Sequence, residues 1–278
     1  MEQALINKII PFSSVDGPGN RLAIFLQGCN LNCLYCHNPE TINICIHCGI
    51  CVKNCPYKAL SFTNKEVIWN KSLCMECDSC IKVCPNYSSP KTLVMDVNDI
   101  LKEINKVKPF ISGITISGGE CTLQSKFLIS LFKEVKNLGL TSFLDTNGFI
   151  SLQNQKELIK YMDMAMVDLK SYDSKEHKNL TGVDNKTVIS NIKYLSQINK
   201  LYEIRTVIVP NILNNCHNVD MTSRLIASLN PNIRYKIIKY RPLGVRHELI
   251  NSYSPSDDVM NNLGTLATKN GCKNIILI

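Results

Sequence analysis

Residues 22–38 read LAIFLQGCNLNCLYCHN and join a short apolar strand to three closely spaced cysteines. Cys29, Cys33 and Cys36 follow the strand in C-x3-C-x2-C spacing. A closed tetrahedral zinc site or a fully protein-ligated four-iron cluster needs four ligands. Three thiolates at this spacing can hold a cubane and leave one iron open, and an open metal position is where exogenous chemistry takes place. The stretch therefore predicts a catalytic metal site rather than a structural one.

Composition indicates an intracellular metalloprotein with one large domain and a small insert. The chain has 278 residues, of which 45% are hydrophobic, enough to bury a full core. We expect a cytoplasmic protein with no membrane partner, since no apolar run approaches a membrane span and the N-terminal residues lack a signal-peptide layout. All but Cys121, Cys216 and Cys272 of the 14 cysteines fall in three tight clusters, which in a reducing compartment indicates metal ligands.

The net charge of +8 counts every cysteine as a neutral thiol. An oxidised cubane carries roughly −2 with four thiolates and about −1 with three, which lowers the surplus to roughly +3. Lysines and arginines are also scattered rather than grouped. We therefore expect no nucleic-acid partner.

Residues 45–90 contain a short internal repeat with a run of four cysteines in each half. Both runs have the spacing C-x2-C-x2-C-x3-C-P, which is that of bacterial two-cluster ferredoxins. In those proteins the fourth cysteine of each run ligates the other cluster. A pair of zinc sites is the alternative, but zinc modules usually separate two C-x2-C units by a long gap. The repeat predicts two [4Fe-4S] clusters, one on Cys45, Cys48, Cys51 and Cys84 and the other on Cys74, Cys77, Cys80 and Cys55.

The rest of the chain alternates strand-like and helix-like segments. The predicted strands cover residues 22–27, 111–117, 141–146, 164–169, 203–209 and 234–240, and the predicted helices 97–107, 126–138, 155–162, 186–199, 218–229 and 256–270. Short apolar runs separated by amphipathic helices indicate βαβ units and a parallel sheet. Such folds place their chemistry at the C-terminal ends of the strands.

Polar and glycine-rich motifs lie at those strand ends. They are Gly28-Cys29, Ser117-Gly118-Gly119-Glu120, Asp145-Thr146-Asn147-Gly148, Asp168-Leu169-Lys170 and Tyr240-Arg241. Each has an ordinary explanation, since paired glycines form turns, aspartates cap helices and a lysine can be a solvated rim residue. Five strand ends directed at one mouth favour a shared site.

Taken together, these motifs resemble the radical S-adenosylmethionine (SAM) enzymes, and within them the activating enzymes that install a glycyl radical on a partner protein. The resemblance runs nearly end to end and rests on DGPG-x-R at 16–21, the cysteine loop, SGGE, DTNG and DLK in that order. The sequence as a whole is most similar to the YjjW-type activases, and the insert is typical of the subgroup with two auxiliary clusters.

The resemblance implies a partial (β/α)6 TIM-like barrel of the radical SAM type with an inserted two-[4Fe-4S] ferredoxin-like domain. Residues 1–40 and 91–278 would form the barrel and residues 41–90 the insert. Its implied activity is reductive cleavage of SAM to methionine and a 5′-deoxyadenosyl radical, which removes a hydrogen atom from one glycine of a glycyl radical enzyme. A flavodoxin- or ferredoxin-like protein would supply electrons, and we expect a monomer.

The resemblance also implies residue roles. Cys29, Cys33 and Cys36 would hold the SAM-cleaving [4Fe-4S] cluster. The implied SAM contacts are Tyr35, His37 and Asn38 beside the cluster, Gly118, Gly119 and Glu120 at the methionine portion, and Asp145, Asp168 and Lys170 at the ribose and carboxylate. In the pyruvate formate-lyase activase the matching positions Asp145, Thr146, Met166 and Asp168 also bind a monovalent cation.

Two positions depart from the family pattern. Cys121 follows Glu120 where relatives often have Pro or Ala, and we expect a small buried residue there, because free cysteine is among the most buried residue types. Arg241 stands where the pyruvate formate-lyase activase has a SAM-contacting histidine, and an arginine can still reach a carboxylate.

Two other functions remain open from the sequence. A radical SAM enzyme that acts on a small molecule would share every cluster residue, and only DGPG-x-R favours a protein glycine. A ferredoxin-type electron carrier would need only the eight cysteines of the insert and would leave the strand-end motifs without a role.

Overall fold

A computed structural model describes residues 2–278 and divides the chain into two compact units. The first unit comprises Met1–Asn30 and Asn38–Leu131, and the second comprises Leu31–His37 and Phe132–Ile278. Within the described residues, none of the helices has the length and apolar character that crossing a membrane requires.

The first unit is built on a mixed sheet and contains the cysteine-rich insert. Its strands lie in the order β5-β1-β2-β6, with β2 parallel to β6 and β1 antiparallel to both β2 and β5. Ile24 lies opposite Ile116 in the parallel pair, and both side chains are fully buried. The elements in chain order are β1 (Gln3–Ser13), β2 (Arg21–Leu26), α1 (Ile50–Lys53), β3 (Leu60–Thr63), β4 (Glu66–Trp69), α2 (Ser79–Lys82), β5 (Leu93–Asp96), α3 (Val97–Val107) and β6 (Gly113–Gly118).

Helix α3 begins with a reciprocal cap. The Asp96 carboxylate accepts a hydrogen bond from the Asp99 amide, and the Asp99 carboxylate accepts one from the Asp96 amide. This arrangement satisfies two amides that a helix start leaves without partners. Ile100 and Ile104 follow at a four-residue spacing on the buried face and have no exposed surface.

The insert is a small body around a β-hairpin and two one-turn helices. Strands β3 and β4 pair antiparallel, and Leu60 and Val67 pack in one buried cluster with Cys51 and Cys80. A parallel bridge joins Asn43 to Ser88 and brings the two ends of the insert together.

The second unit is an all-parallel sheet with strand order β7-β8-β9-β10-β11. Central strand residues such as Leu144, Val167, Ile204 and Ile237 have no exposed surface, as expected when helices cover both faces. Helix α4 (Ser125–Asn137) leads the chain into this unit. The remaining elements are β7 (Thr141–Thr146), α5 (Lys156–Tyr161), β8 (Met164–Asp168), α6 (Ser174–Thr181), α7 (Lys186–Gln197), β9 (Leu201–Ile208), α8 (Asn215–Leu229), β10 (Arg234–Lys239), α9 (Asp257–Lys269) and β11 (Ile275–Leu277).

All six predicted strands and all six predicted helices are confirmed, most of them to within two residues. The mixed α/β class with mostly parallel strands is confirmed as well. Strands β1, β5 and β11, helix α6 and the four short elements of the insert were not predicted, nor was the antiparallel direction of β1 relative to β2 and β5.

Candidate functional site

In the first unit, four backbone hydrogen bonds fix the segment that leads into Cys29: two join it to residues 41–42, and two join the ends of β2 and β6. The amides of Gly28 and Cys29 donate to the carbonyls of Thr41 and Ile42 at 2.8 and 2.9 Å. The amides of Gly119 and Glu120 donate to Leu26 and Gly28 at 2.9 and 2.8 Å. These bonds fix the backbone that presents Cys29, whose side chain is half-buried.

Both glycines of the SGGE motif are required by close backbone contact. A Cβ at Gly118 would lie 2.2 Å from the Leu26 amide nitrogen, and its φ of +116° strains any other residue. A Cβ at Gly119 would lie 2.2 Å from the Gly28 carbonyl oxygen. The turn explanation considered for these glycines is therefore incomplete, because the motif packs directly against the segment that leads into Cys29.

Glu120 and Cys121 are both buried beside this turn. Glu120 is 1% exposed, and its carboxylate accepts hydrogen bonds from the amide and the hydroxyl of Thr122. Cys121 has no exposed surface, which confirms the expectation of a small buried residue. Asn38 is exposed and precedes a short 3-10 turn, where its carbonyl accepts from the Thr41 hydroxyl at 2.7 Å.

A fully buried arginine, Arg21, anchors the segment with the DGPG-x-R motif. The Nε of Arg21 donates to the Thr115 hydroxyl at 2.8 Å, and Nη2 donates to the Ile114 carbonyl at 2.5 Å. The Thr115 hydroxyl in turn donates to the Asp16 carbonyl, and the Ser13 hydroxyl donates to the Asp16 carboxylate. Residues 16–19 thus form an organised loop, because each anchor is a buried or half-buried polar contact.

In the second unit, the loop with Cys33 and Cys36 is fixed against the end of α6. The amide of Leu34 donates to the Leu180 carbonyl at 2.9 Å. The buried Arg246 donates from Nη2 to the Cys33 carbonyl at 2.8 Å. Cys36 closes the loop, since its amide donates to the same Cys33 carbonyl at 3.1 Å.

Tyr35 and His37 lie beside these cysteines. Tyr35 is 3% exposed, and burial raises the pKa of its phenol, whose oxygen is enclosed without a hydrogen-bond partner. His37 is half-buried, and its Nε2 donates to the Arg241 carbonyl at 2.9 Å. Burial lowers the pKa of His37, so the ring is neutral at pH 7. The Arg241 side chain itself is exposed.

Asp168 and Lys170 form a close ion pair at the end of β8, with Lys170 Nζ 2.6 Å from Asp168 Oδ2. Burial opposes ionisation of Asp168, but Lys170 and Arg205 outweigh it and hold its pKa below the ordinary value. Burial also opposes the charge on Lys170, but Asp168 and Tyr35 raise its pKa well above the ordinary value. The Lys170 ammonium stands 5.7 Å from the centre of the Tyr35 ring, and the side chain is only 13% exposed. It is not a solvated rim lysine.

Asp145 contacts Arg205, which was not among the predicted site residues. Nη1 of Arg205 lies 2.9 Å from both carboxylate oxygens of Asp145, and Nη2 lies 3.0 Å from the Met166 sulfur. Its Nε contacts Glu203 at 2.5 Å, and the same buried carboxylate pairs with Arg234 and Lys236. The available signal was the pair of charged residues, Glu203 and Arg205, inside an otherwise apolar strand.

Thr146, Asn147 and Gly148 complete the turn after β7. The Thr146 hydroxyl accepts from the Gly148 amide at 3.0 Å, and the Asn147 side chain accepts from the Phe149 amide at 3.0 Å. Asn191 fixes the turn from α7, since its amide donates to the Gly148 carbonyl at 2.8 Å.

The eight cysteines of the insert line two separate cavities. One is lined by Cys55, Cys74, Cys77 and Cys80. The other is lined by Cys45, Cys48, Cys51 and Cys84. Each cavity therefore receives three cysteines from one half of the repeat and the fourth from the other half.

Each set of thiols has one buried member. Burial raises the pKa of Cys51 to about 11 and also raises the pKa of Cys80, so both stay protonated at pH 7 until a metal displaces the proton. Among residues 2–278, no three His, Cys, Asp or Glu side chains are gathered as ligands of a single metal ion. The assignment of all eleven clustered cysteines to metal centres stays a prediction.

Comparison with known proteins gives consistent relatives over nearly the whole chain. Residues 15–189 match the family model described as a 4Fe-4S single cluster domain. A Haemophilus influenzae protein that carries the name glycyl-radical enzyme activating enzyme is 31% identical over 98% of this chain and 96% of its own. The pyruvate formate-lyase-activating enzyme of Streptococcus mutans is 30% identical over 93% and 88%, and the choline trimethylamine-lyase activating enzyme of Oleidesulfovibrio alaskensis is 30% identical over 87% and 85%.

Solved structures indicate the same fold. A domain of a pyruvate formate-lyase-activating enzyme from Bacteroides vulgatus superposes with a TM-score of 0.51 and 22% identity over 60% of this chain and 99% of its own. A radical SAM methyltransferase from Sphaerobacter thermophilus superposes with a TM-score of 0.58 and 10% identity over 93% of this chain and 66% of its own. At these identities the likeness concerns the fold alone.

Proposed function

Because this chain belongs to the glycyl-radical enzyme activating enzymes, we propose that it cleaves SAM reductively and activates a partner glycyl radical enzyme. When bound, the cluster and SAM supply the one-electron chemistry that yields methionine and a 5′-deoxyadenosyl radical, which takes a hydrogen atom from a glycine of the partner. The observation that carries the proposal is the half-buried Asp168–Lys170 pair beside the Cys33 loop. The anchored ammonium would bind the carboxylate of an amino acid, and the aspartate would bind a ribose.

The chain's own residues fit the cluster and SAM. Cys29, Cys33 and Cys36 would hold the cluster, and each sits in a loop whose backbone is already fixed by hydrogen bonds. Lys170 is the candidate for the SAM carboxylate, because its side chain is only 13% exposed and its ammonium is held in place by Asp168. The residues proposed to line SAM are Tyr35, His37, Asn38, Gly118, Gly119, Glu120, Asp145, Asp168, Lys170 and Arg241.

Three of these groups would contribute to SAM binding in different ways. The Gly118–Gly119 turn packs against the segment before Cys29, and its backbone would line the methionine portion. The Tyr35 hydroxyl is a buried group without a partner, and buried polar groups are normally satisfied. Neutral His37 can pack against SAM without adding a second positive charge beside the sulfonium.

We also propose that residues 1–40 and 91–278 form a partial (β/α)6 barrel and that residues 41–90 form a two-[4Fe-4S] insert. The two cysteine-lined cavities support the insert, because their crossed composition is the one that ferredoxin spacing requires. The insert would transfer electrons from a flavodoxin- or ferredoxin-like reductant or help to dock the partner. We further propose a cytoplasmic monomer.

The partner's glycine segment would be presented by the Asp16–Gly19 loop. The fully buried Arg21 and Thr115 hold this loop, so its shape is fixed before a partner arrives. A preorganised loop reduces the entropy cost of binding an extended peptide.

The proposal also includes a monovalent cation at Asp145, Thr146, Met166 and Asp168. Arg205 already contacts Asp145 and the Met166 sulfur, so a cation would have to share these donors with a guanidinium. Potassium titration of SAM binding tests this point. Binding that is the same with and without the cation would remove the cation from the proposal.

The decisive experiment is electron paramagnetic resonance on the candidate partner after incubation with reduced, reconstituted protein and SAM. A glycyl radical doublet is expected, and no doublet should form with Cys33→Ala. If 5′-deoxyadenosine accumulates while an intact partner stays silent, the substrate is a small molecule instead. If 5′-deoxyadenosine still forms with Cys33→Ala, the assignment of the cysteine triad is wrong.

A further inference from the structure

The two cysteine-lined cavities of the insert are closely matched in how they surround their thiols. Each has one buried cysteine, Cys51 in one and Cys80 in the other. Each also has one exposed cysteine, Cys48 in one and Cys77 in the other. Solvent exposure, which is one determinant of cluster potential, is therefore similar at the two sites.

Hydrogen bonds to sulfur are matched as well. In one cavity the His47 amide donates to Cys45 Sγ at 3.4 Å, and Ser88 Oγ lies 3.5 Å from the Cys84 sulfur. In the other cavity the Ala59 amide donates to Cys55 Sγ at 3.3 Å, and Ser79 Oγ lies 3.4 Å from the Cys77 sulfur. Each site has one amide and one hydroxyl next to its thiols, so this second determinant of potential does not distinguish them.

Charge does distinguish them. Lys91 and Asp78 line the cavity of Cys55, Cys74, Cys77 and Cys80. The other cavity is walled, apart from its cysteines, by Ile46, Gly49, Ile50, Val67, Pro85, Ser88 and Pro90, none of which carries a charge.

Lys91 and Asp78 do not cancel at the thiols. The Lys91 Nζ binds Asp78 Oδ1 at 2.6 Å, but the Lys91 side chain is 16% exposed and that of Asp78 is 52% exposed. The field of the more exposed carboxylate is screened more strongly by water.

We propose that Lys91 raises the reduction potential of the cluster on Cys55, Cys74, Cys77 and Cys80 above that of the cluster on Cys45, Cys48, Cys51 and Cys84. The inference rests on the proposed function in requiring that both cavities hold [4Fe-4S] clusters. Reduction adds one electron to a site that is already negative, and a nearby ammonium stabilises that electron, whereas uncharged walls do not. The first electron delivered to the insert therefore resides next to Lys91.

The test is a redox titration of the full-length, reconstituted protein, followed by electron paramagnetic resonance. Cys33→Ala and Cys36→Ala are introduced first, so that the two insert clusters are observed alone. Two midpoints are expected, and Cys77→Ser should move the higher one, which assigns it to the cavity with Lys91.

Lys91→Met should lower only the higher midpoint. We expect at least a tenfold fall in the reduced-to-oxidised ratio at fixed potential, which is about 59 mV for one electron. Lys82→Met is the control, because Lys82 is an exposed lysine of α2 that lines neither cavity. Lys91→Arg should keep the potential.

A second variant covers the case in which Lys91→Met fails to assemble its cluster. Asp78→Asn removes the opposing charge at a residue with φ of +59°, where asparagine is well tolerated, and should raise the same midpoint. Unchanged midpoints in both variants, or equal shifts of both clusters, would overturn the inference. Failure of the two-cluster insert itself is separate and would appear as iron well below about eight atoms per chain in the triad-free protein.

Discussion

Replacement of Gly119 by alanine should disturb the metal loop through backbone contact alone. The new Cβ would lie 2.2 Å from the Gly28 carbonyl oxygen, 2.7 Å from its carbon and 2.8 Å from the Thr41 carbonyl oxygen. All three are backbone atoms, so no side-chain rotation relieves the overlap. One of the two segments has to move by about 1 Å to reach ordinary contact distance.

The cost can be worked from the bonds that this movement breaks. The Gly28 carbonyl accepts from the Glu120 amide, and the Gly28 amide donates to Thr41, both at 2.8 Å. Each bond contributes about 1 kcal/mol, and overpacking costs about 1–3 kcal/mol. We therefore expect Gly119→Ala to lower the free energy of unfolding by about 3–5 kcal/mol, measured by urea denaturation of the full chain.

Gly139→Ala is the matched control. Gly139 also follows a regular element, but no atom lies within 4 Å of its Cβ position, so only its φ of +74° penalises alanine, by about 1–2 kcal/mol. The reasoning is refuted if Gly119→Ala costs no more than Gly139→Ala. Gly119→Ala should in addition reduce the iron bound at the Cys29 loop, whereas the control should not.

Three further perturbations test buried charges and the loop anchor. Glu203→Gln removes the buried carboxylate that Arg205, Arg234 and Lys236 share and should cost about 3–5 kcal/mol in urea denaturation. A cost below that of removing the exposed Arg224 charge, about 1 kcal/mol at most, would contradict this. His177 is fully buried, and burial lowers its pKa, so the unfolded chain binds more protons than the folded chain. The free energy of unfolding should therefore fall as the pH drops below about 6.5. His177→Gln should flatten that pH dependence, and an unchanged slope would argue against this role of His177. Arg21→Met should accelerate hydrogen exchange at residues 16–19. It should also reduce glycyl radical formation on the partner, while 5′-deoxyadenosine still forms without the partner. Parallel loss of the glycyl radical and of 5′-deoxyadenosine would rule out a role specific to the loop.

The strands and helices that bury one apolar face were predictable from the sequence, and those that do not were missed. Strand β8 is a short apolar run, and its bounds were predicted to within one residue. Strand β1 is interrupted by Pro11 and by two register shifts against β2, so its alternation of buried and exposed residues is broken. Helix α6 is mostly polar and buries only His177, Leu180 and Thr181, which leaves little amphipathic signal.

In the candidate site, the position of each strand-end residue along the chain was predictable, but its neighbour across strands was not. Asp145, Asp168 and Lys170 were chosen because they follow apolar strands. Arg205 lies within a strand, two residues after Glu203, and its contacts with Asp145 depend on the pairing of β7, β8 and β9. Sequence spacing carries no information on such pairing, because the partners are 60 residues apart.

One arrangement of charge recurs at two places where the chain presents thiols. Lys170 stands near Cys33 and is held by Asp168 at 2.6 Å, and Lys91 stands near Cys80 and is held by Asp78 at 2.6 Å. In both pairs the lysine is the more buried partner. In each pair the more exposed carboxylate holds the ammonium in place, and its own field is screened more strongly by water. The cavity of Cys45, Cys48, Cys51 and Cys84 has no such pair in its walls. A lysine held by an aspartate thus sets two of the three predicted cluster positions apart from the third, a feature that cysteine spacing alone could not reveal.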